Sequence, residues 1–145
     1  MSPSPIQITS RQIALVRTSL THALPHAAAL AELFYARLFE LDPSTRMLFP
    51  PDMNRQGRKL VDMLDVFAGD LTRWEVLRPA ARRLGARHAD YGVLDAHYGT
   101  VGAALLWALE QTLAGNFTSE VRAAWEAVYV LLTNEMREGS RLRSS

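Results

Sequence analysis

The chain has 145 residues and a formal charge of +1. That size suits one domain around one core, and the charge leaves no broad basic footprint for nucleic acid. With 48% apolar and 21% charged residues it reads as a water-soluble globular protein. No apolar stretch runs the ~18 uncharged residues that a membrane span needs. The absence of cysteine excludes disulfides, thiolate catalysis and cysteine-held metal. The opening MSPSPIQITS lacks the basic region and apolar core of a secretory signal, so the cytoplasm is the expected compartment.

MSPSP and GSRLRSS predict flexible ends, residues 1–8 and 140–145, around a domain over 9–139. Period-two alternation bounded by turns is absent, which argues against strands. Thr9 or Ser10 can cap a first helix to about Thr21, with Ile13, Val16 and Leu20 on one face. Pro25 fits the first turn of a second, PHAAALAELFYARLFEL, striped by Leu30, Leu33, Phe34, Leu38 and Leu41. Asp42 and Pro43 stop it and start a short third helix, PSTRML. After the loop FPPDMN, a long helix is expected from about Arg55 to Leu71. A shorter one spans roughly Val76 to Ala89, irregular near Pro79 and ended by Gly92. Asp95 caps the next, AHYGTVGAALLWALEQTL, which Gly115 closes. Thr118 or Ser119 caps the last, EVRAAWEAVYVLLTNEMRE. About seven helices and an all-α fold follow.

His88 lies on the apolar side of its helix with Leu84, while Arg82, Arg83 and Arg87 project elsewhere. Taken alone, it reads as a partly exposed histidine near a helix C-terminus, where the dipole favours its charged form. It can hold a haem iron through a neutral imidazole only if an apolar slot faces it. Tyr35 falls inside the apolar stripe of the second helix. It is either a core tyrosine bonded to a carbonyl or a buried donor awaiting a partner. Gln56 opens the long helix one turn before Leu60 and serves equally as a solvated first-turn residue. Phe49, among prolines, reads as a core plug. His22, His26 and His97 read as surface, Trp107 and Trp125 as core, and Trp74 as packing at a helix end.

The motifs LFYARLFELDPSTRMLF (33–49), QGRKL (56–60) and HADYGVLDAHYGTVG (88–102) together resemble the globins, and more closely the single-domain bacterial haemoglobins and the haem domain of flavohaemoglobins. Similarity covers about residues 9–138. The resemblance implies a globin fold of about seven helices enclosing haem b, iron protoporphyrin IX. It implies His88 as the iron's ligand, Phe49 on the haem face, Tyr35 and Gln56 as the distal polar pair, and Leu60 limiting space over the iron. Lys59 and Arg87 become propionate partners. Tyr98 takes the place of the family tyrosine beneath the proximal histidine, Leu84, Val93 and Val101 line the pocket, and the other histidines match no ligand position. One departure stands out. Flavohaemoglobins complete a proximal network with a glutamate in the last helix, and counting from Ala124–Trp125 places Ser140 there. Glu135 or Glu138 could substitute only with a shift, and without that carboxylate the ligand pushes less electron density onto iron.

The implied function is binding of O2, and of NO and CO, at a histidine-ligated iron beneath a Tyr/Gln pair. NO dioxygenation is an enzymatic extension of it. Because the chain ends at Ser145, that reaction is expected to need a separate electron-donating reductase. A monomer or homodimer without nucleic-acid or membrane partners is expected. The alternatives are a single-domain gas or redox sensor acting through a protein partner, and a haem-free helical interaction module.

Overall fold

The computed structural model describes residues 8–143. Thr9 wins the first cap: its hydroxyl accepts from Gln12 N–H at 3.0 Å while Gln12 Oε1 accepts from Thr9 N–H at 3.1 Å, a reciprocal box that opens α1, Ser10–Ala23. Pro25 falls in a separate 3-10 turn, Leu24–His26, so α2 begins later than expected, at Ala27, and runs to Leu41. The Asp42 carboxylate accepts from Ser44 N–H at 3.1 Å and starts PSTRML, which is 3-10 throughout, Pro43–Leu48. Asp52 caps α3, Met53–Ala68, by accepting from Arg55 N–H at 3.2 Å. That helix stops short of Leu71 because Asp70 caps a turn of its own, Leu71–Arg73.

The next helix, α4, spans Trp74–Asp90 and passes Pro79 unbroken. Pro79 lacks the N–H that would reach the Glu75 carbonyl, and both residues are exposed, so water can serve that carbonyl. Asp95 is the first residue of α5, Asp95–Leu113, rather than its cap. The capping contact comes from His97, whose Nδ1 accepts from Leu94 N–H at 2.9 Å. His97 is accordingly half-buried, which corrects its reading as a surface residue. Ala114, not Gly115, takes the positive φ (48°) that ends α5. Thr118 caps α6, Ser119–Arg143, through Val121 N–H at 3.2 Å. This helix continues past the expected domain boundary at residue 139. The rest of the expected flexible ends, residues 1–7 and 144–145, lies outside the described residues. Six α-helices, four 3-10 turns and no strand are present among the described residues, as the all-α expectation requires.

α6 is the spine. α4 lies along it over the most extensive contact in the molecule, α1 and α5 pack on it too, α2 crosses α5, and α3 rests on α2. α3 and α4 barely touch. The α4–α6 contact is backbone on backbone. A Cβ on Gly85 would stand 1.9 Å from the Met136 carbonyl oxygen, and one on Gly139 would stand 1.9 Å from that of Arg82. Beside these glycines, Glu135 on α6 is held by Arg78 at 3.1 Å and Arg82 at 3.2 Å. At the other end, Trp125 Nε1–H donates to Ser19 Oγ at 2.8 Å and pins α1 to α6.

The buried apolar residues form two clusters. The larger joins α1, α2, α3, α5 and α6 around side chains such as Leu38, Leu109 and Trp125. The smaller, Phe67, Ala81, Tyr98, Leu132 and Met136, lies where α4 meets α6. Met63 and Trp74 pack against both.

Gly85→Ala should destabilise the fold by about 1–3 kcal/mol, because two backbones must separate. Gly99→Ala should do the reverse. Gly99 is exposed in α5 with nothing within 4 Å of its missing Cβ, and removing a helix-interior glycine there gains about 0.5–1 kcal/mol. Urea unfolding midpoints of the two variants test this; equal signs would refute it.

Candidate ligand-binding site

His88 occupies the last turns of α4, and the way that helix ends fixes it. Gly92 adopts φ +93°, the left-handed conformation that glycine enters without a Cβ penalty. Val93 N–H then donates to the His88 carbonyl at 3.0 Å and Gly92 N–H to that of Ala89 at 3.1 Å. This pair of bonds is the Schellman termination, and its outer bond is anchored on His88 itself. The His88 Nδ1 lies 2.8 Å from the Leu84 carbonyl. A carbonyl can only accept, so Nδ1 carries the proton and the neutral ring leaves Nε2 with a free lone pair. Among the described residues Nε2 has no hydrogen-bond partner. Burial, helped by the charge of Arg87 and opposed by the Leu84 bond, lowers the pKa of His88 below its usual 6.5.

Tyr35 is buried in α2 within an aromatic group. Its ring meets Phe34 edge-on at 4.8 Å and Phe49 edge-on at 5.2 Å, and Phe39 at 6.0 Å. Its hydroxyl donates to the main-chain carbonyl of Gln56 at 3.4 Å, far longer than the usual O–H···O contact of about 2.7–2.8 Å. Burial pushes its pKa up to about 12, so it stays a donor across the neutral range. Gln56 itself is half-buried in the first turn of α3, and Leu60 is buried one turn on.

The other predicted positions sort themselves between the two clusters. Tyr35, Phe49, Leu60 and Val101 belong to or pack on the larger. Leu84, Val93 and Tyr98 belong to or pack on the smaller. Lys59 and Arg87 are exposed, and no ion pair engages either among the described residues. Tyr98 makes no side-chain hydrogen bond to His88. Its main-chain carbonyl accepts from the Tyr129 hydroxyl at 2.5 Å.

Residues that sequence reasoning missed surround Tyr98. Arg137 of α6 lies over its ring at 5.1 Å and pairs with Asp95 at 2.6 Å. Glu135 is committed to Arg78 and Arg82, and Glu138 to Arg141, so neither carboxylate reaches Tyr98. The arginines one turn apart at 78 and 82 were the available signal for Glu135; nothing local announced Arg137.

Residues 32–136 match the sequence profile of the family described as Globin. The chain belongs to the globin family. It is 30% identical over 129 residues to a flavohemoprotein of Xylella fastidiosa, a match covering 87% of this chain and 32% of the relative. This globin thus spans about a third of the length of the flavohemoproteins it matches. It is 27% identical to the neuroglobin of Danio rerio over 80% of this chain and 79% of that one. Among solved structures it superposes on an engineered carbene transferase whose parent, from Rhodothermus marinus, is assigned as a nitric oxide dioxygenase. The TM-score is 0.84 at 29% identity, covering 94% of this chain and 95% of that one. A bacterial globin of Campylobacter jejuni shares the fold, with a TM-score of 0.79 at 22% identity over 94% and 100% of the two chains. The expected globin fold is therefore established.

This globin also has a small apolar pocket of about 20 Å3, room for about one water molecule. Leu64 and Leu105, in its wall, lie one helical turn beyond Leu60 and Val101. None of Tyr35, Gln56 and His88 lines it, so it is a space behind the candidate site rather than the site itself.

The His88 shift has a pH consequence. The unfolded chain takes up a proton at about pH 6.5, and the folded chain does so only at lower pH. Between the two values the unfolded state binds more protons, so stability falls as pH drops through that window. The ligand-free chain should show this slope in urea midpoints measured either side of pH ~6.5, and His88→Gln should flatten it. Gly92→Ala should cost about 1–2 kcal/mol through backbone strain alone, since nothing nearer than 3.7 Å opposes the new methyl.

Proposed function

We propose that residues 9–139 form a haem-carrying globin domain that binds O2, NO and CO, with haem b lying between α3 and α4 and His88 Nε2 as the iron's ligand. The observation that carries this reading is a pair of polar groups inside the fold. One is a buried tyrosine hydroxyl turned toward Gln56, with a long 3.4 Å bond to its carbonyl and its side chain alongside; the other is an imidazole nitrogen with no hydrogen-bond partner among the described residues. Three further features fit a flat, largely apolar group with charged edges. α3 and α4 barely touch, the candidate residues divide between two apolar clusters, and Lys59 and Arg87 remain exposed for carboxylates at the rim.

Bound haem supplies an iron that binds a diatomic gas and exchanges single electrons. The protein's part is orientation, donation and exclusion. The Leu84 carbonyl fixes the His88 tautomer and ring plane. Phe49, Leu60, Leu84, Val93 and Val101 exclude water from the two faces, and Tyr98 packs beneath the ligand helix. The Tyr35 hydroxyl is free to leave its long bond and donate to a gas that accepts negative charge, with Gln56 as a second donor. A hydrogen bond to a charged partner contributes about 1.5–3 kcal/mol, or roughly 10- to 100-fold in the rate of gas release.

Such retention suits oxidation of NO to nitrate, in which NO, O2 and one electron combine, at least as well as reversible oxygen carriage. The electron comes from a reductase, and the cytoplasm is the compartment we assign. The flavohemoprotein relatives and the dioxygenase-derived structural neighbour support this reading over sensing.

The test is an absorption spectrum of the purified chain supplied with haem. A Soret band that shifts on dithionite reduction and again with O2 is expected; no Soret band would sink the proposal. His88→Ala should abolish the axial imidazole signature. Tyr35→Phe should speed O2 release by about 10- to 100-fold in stopped-flow, and an unchanged rate would remove Tyr35 from the mechanism.

A further inference from the structure

Three of the four most exposed large apolar side chains among the described residues belong to two adjoining turns. They are Met47 at 89%, Tyr91 at 71% and Leu94 at 63% exposed. Met47 sits in the 3-10 segment before α3, and Tyr91 and Leu94 flank Gly92 between α4 and α5. The turns meet: Leu48 Cδ2 lies 3.7 Å from the Cβ position of Gly92. None of the three packs on either core cluster. Apolar side chains gathered outside the core in this way mark a contact surface. It adjoins the end of α4 that carries His88.

The charge beside this patch is one-sided. Arg55 and Arg58 on α3 and Arg83 on α4 are exposed, and no ion pair engages them among the described residues; Lys59 and Arg87, beside them, are the pair assigned to the haem carboxylates. Of the neighbouring carboxylates, Asp52 caps α3 and Asp95 holds Arg137, while Asp62 stands exposed on α3 against three cations, Arg55, Arg58 and Lys59. Two copies of this chain joined symmetrically through the patch would set these cations against each other. An acidic face is the complement.

We propose that this surface docks an acidic, single-electron-donating protein. The proposal rests on the haem reading, because the electron needs an acceptor: the donor is oxidised by one electron and the ferric iron reduced to ferrous. Contact between apolar centres would bring the donor to the edge of the crevice between α3 and α4, and the cations would steer it there.

The probe is flavodoxin, an acidic flavin protein. Titrated into the full-length, isotope-labelled chain, it should shift the amide signals of Met47, Tyr91 and Leu94. Affinity should fall about tenfold or more between low and ~0.3 M salt. Reduction of the haem-loaded ferric protein by reduced flavodoxin should slow several-fold in Arg83→Glu and in Tyr91→Ser, with dithionite reduction unchanged. Shifts confined to another face, salt-independent binding, or variants as fast as the parent would overturn the proposal. So would binding of phosphatidylserine vesicles without flavodoxin, or concentration-dependent self-association through the same amides. A chain with no Soret band removes the acceptor and defeats the haem reading as well. A haem-loaded chain with no flavodoxin contact defeats the docking surface alone.

Discussion

The contact of α4 with α6 through bare backbone is the constraint on which the rest of the molecule depends. Gly85 and Gly139 each leave out a methyl that would otherwise strike a carbonyl of the partner helix at 1.9 Å. Because the helices meet there, Glu135 comes within reach of two arginines on α4, and Met136 joins Ala81 and Tyr98 in the smaller cluster. The same spine reaches α5 through Tyr129 and Arg137 and α1 through Trp125. The helix bearing His88 and the helix bearing Tyr98 are thus placed against a common reference. α3, bearing Gln56 and Leu60, comes in from the α2 side. The division between the two halves of the candidate site follows from this asymmetry.

Much of this was legible in the sequence because it is encoded locally. Thr9, Asp42 and Thr118 act as caps through side chains within three residues of the amides they serve, and Gly92 ends α4 with a conformation that only its own residue type favours. Helix faces follow from 3.6-residue spacing. The reading failed where the deciding partner lay on another helix or where local chemistry competed. Pro79 signalled an irregularity, yet α4 runs through it, with both Pro79 and Glu75 exposed so that water can serve the orphaned carbonyl. Asp95 looked like a cap, but Arg137, distant in sequence, draws its carboxylate away, and His97 takes over the capping contact. What Gly85 does is likewise decided on another helix, by the Met136 carbonyl of α6.

The candidate site divides the same way. Tyr35 and His88 could be picked from their own helices, but each had a plain alternative as a core or surface residue. Only the combined motifs of the globin family set the two together as candidates. Burial and bonding then added what no motif states. The tyrosine turns its hydroxyl to Gln56, and the histidine is held in one tautomer. The proximal electrostatics went the other way. The sequence showed a carboxylate missing at Ser140, but only the packing of α6 showed a guanidinium over Tyr98 instead. The one side-chain hydrogen bond of His88 among the described residues is the one from Nδ1 to the Leu84 carbonyl.

The clamp at Gly85 also makes α4 a lever with a very short arm. His88 lies one turn beyond the fixed point, about 4.5 Å along the axis at 1.5 Å per residue. A tilt of ~10° about Gly85 would carry the His88 backbone less than ~1 Å, and the Gly92 termination holds the far end of the same arm. The opposite arm is longer, and Trp74, at its start, buries an indole N–H with no acceptor among the described residues. Motion of this helix should therefore appear at Trp74, while the imidazole stays almost still.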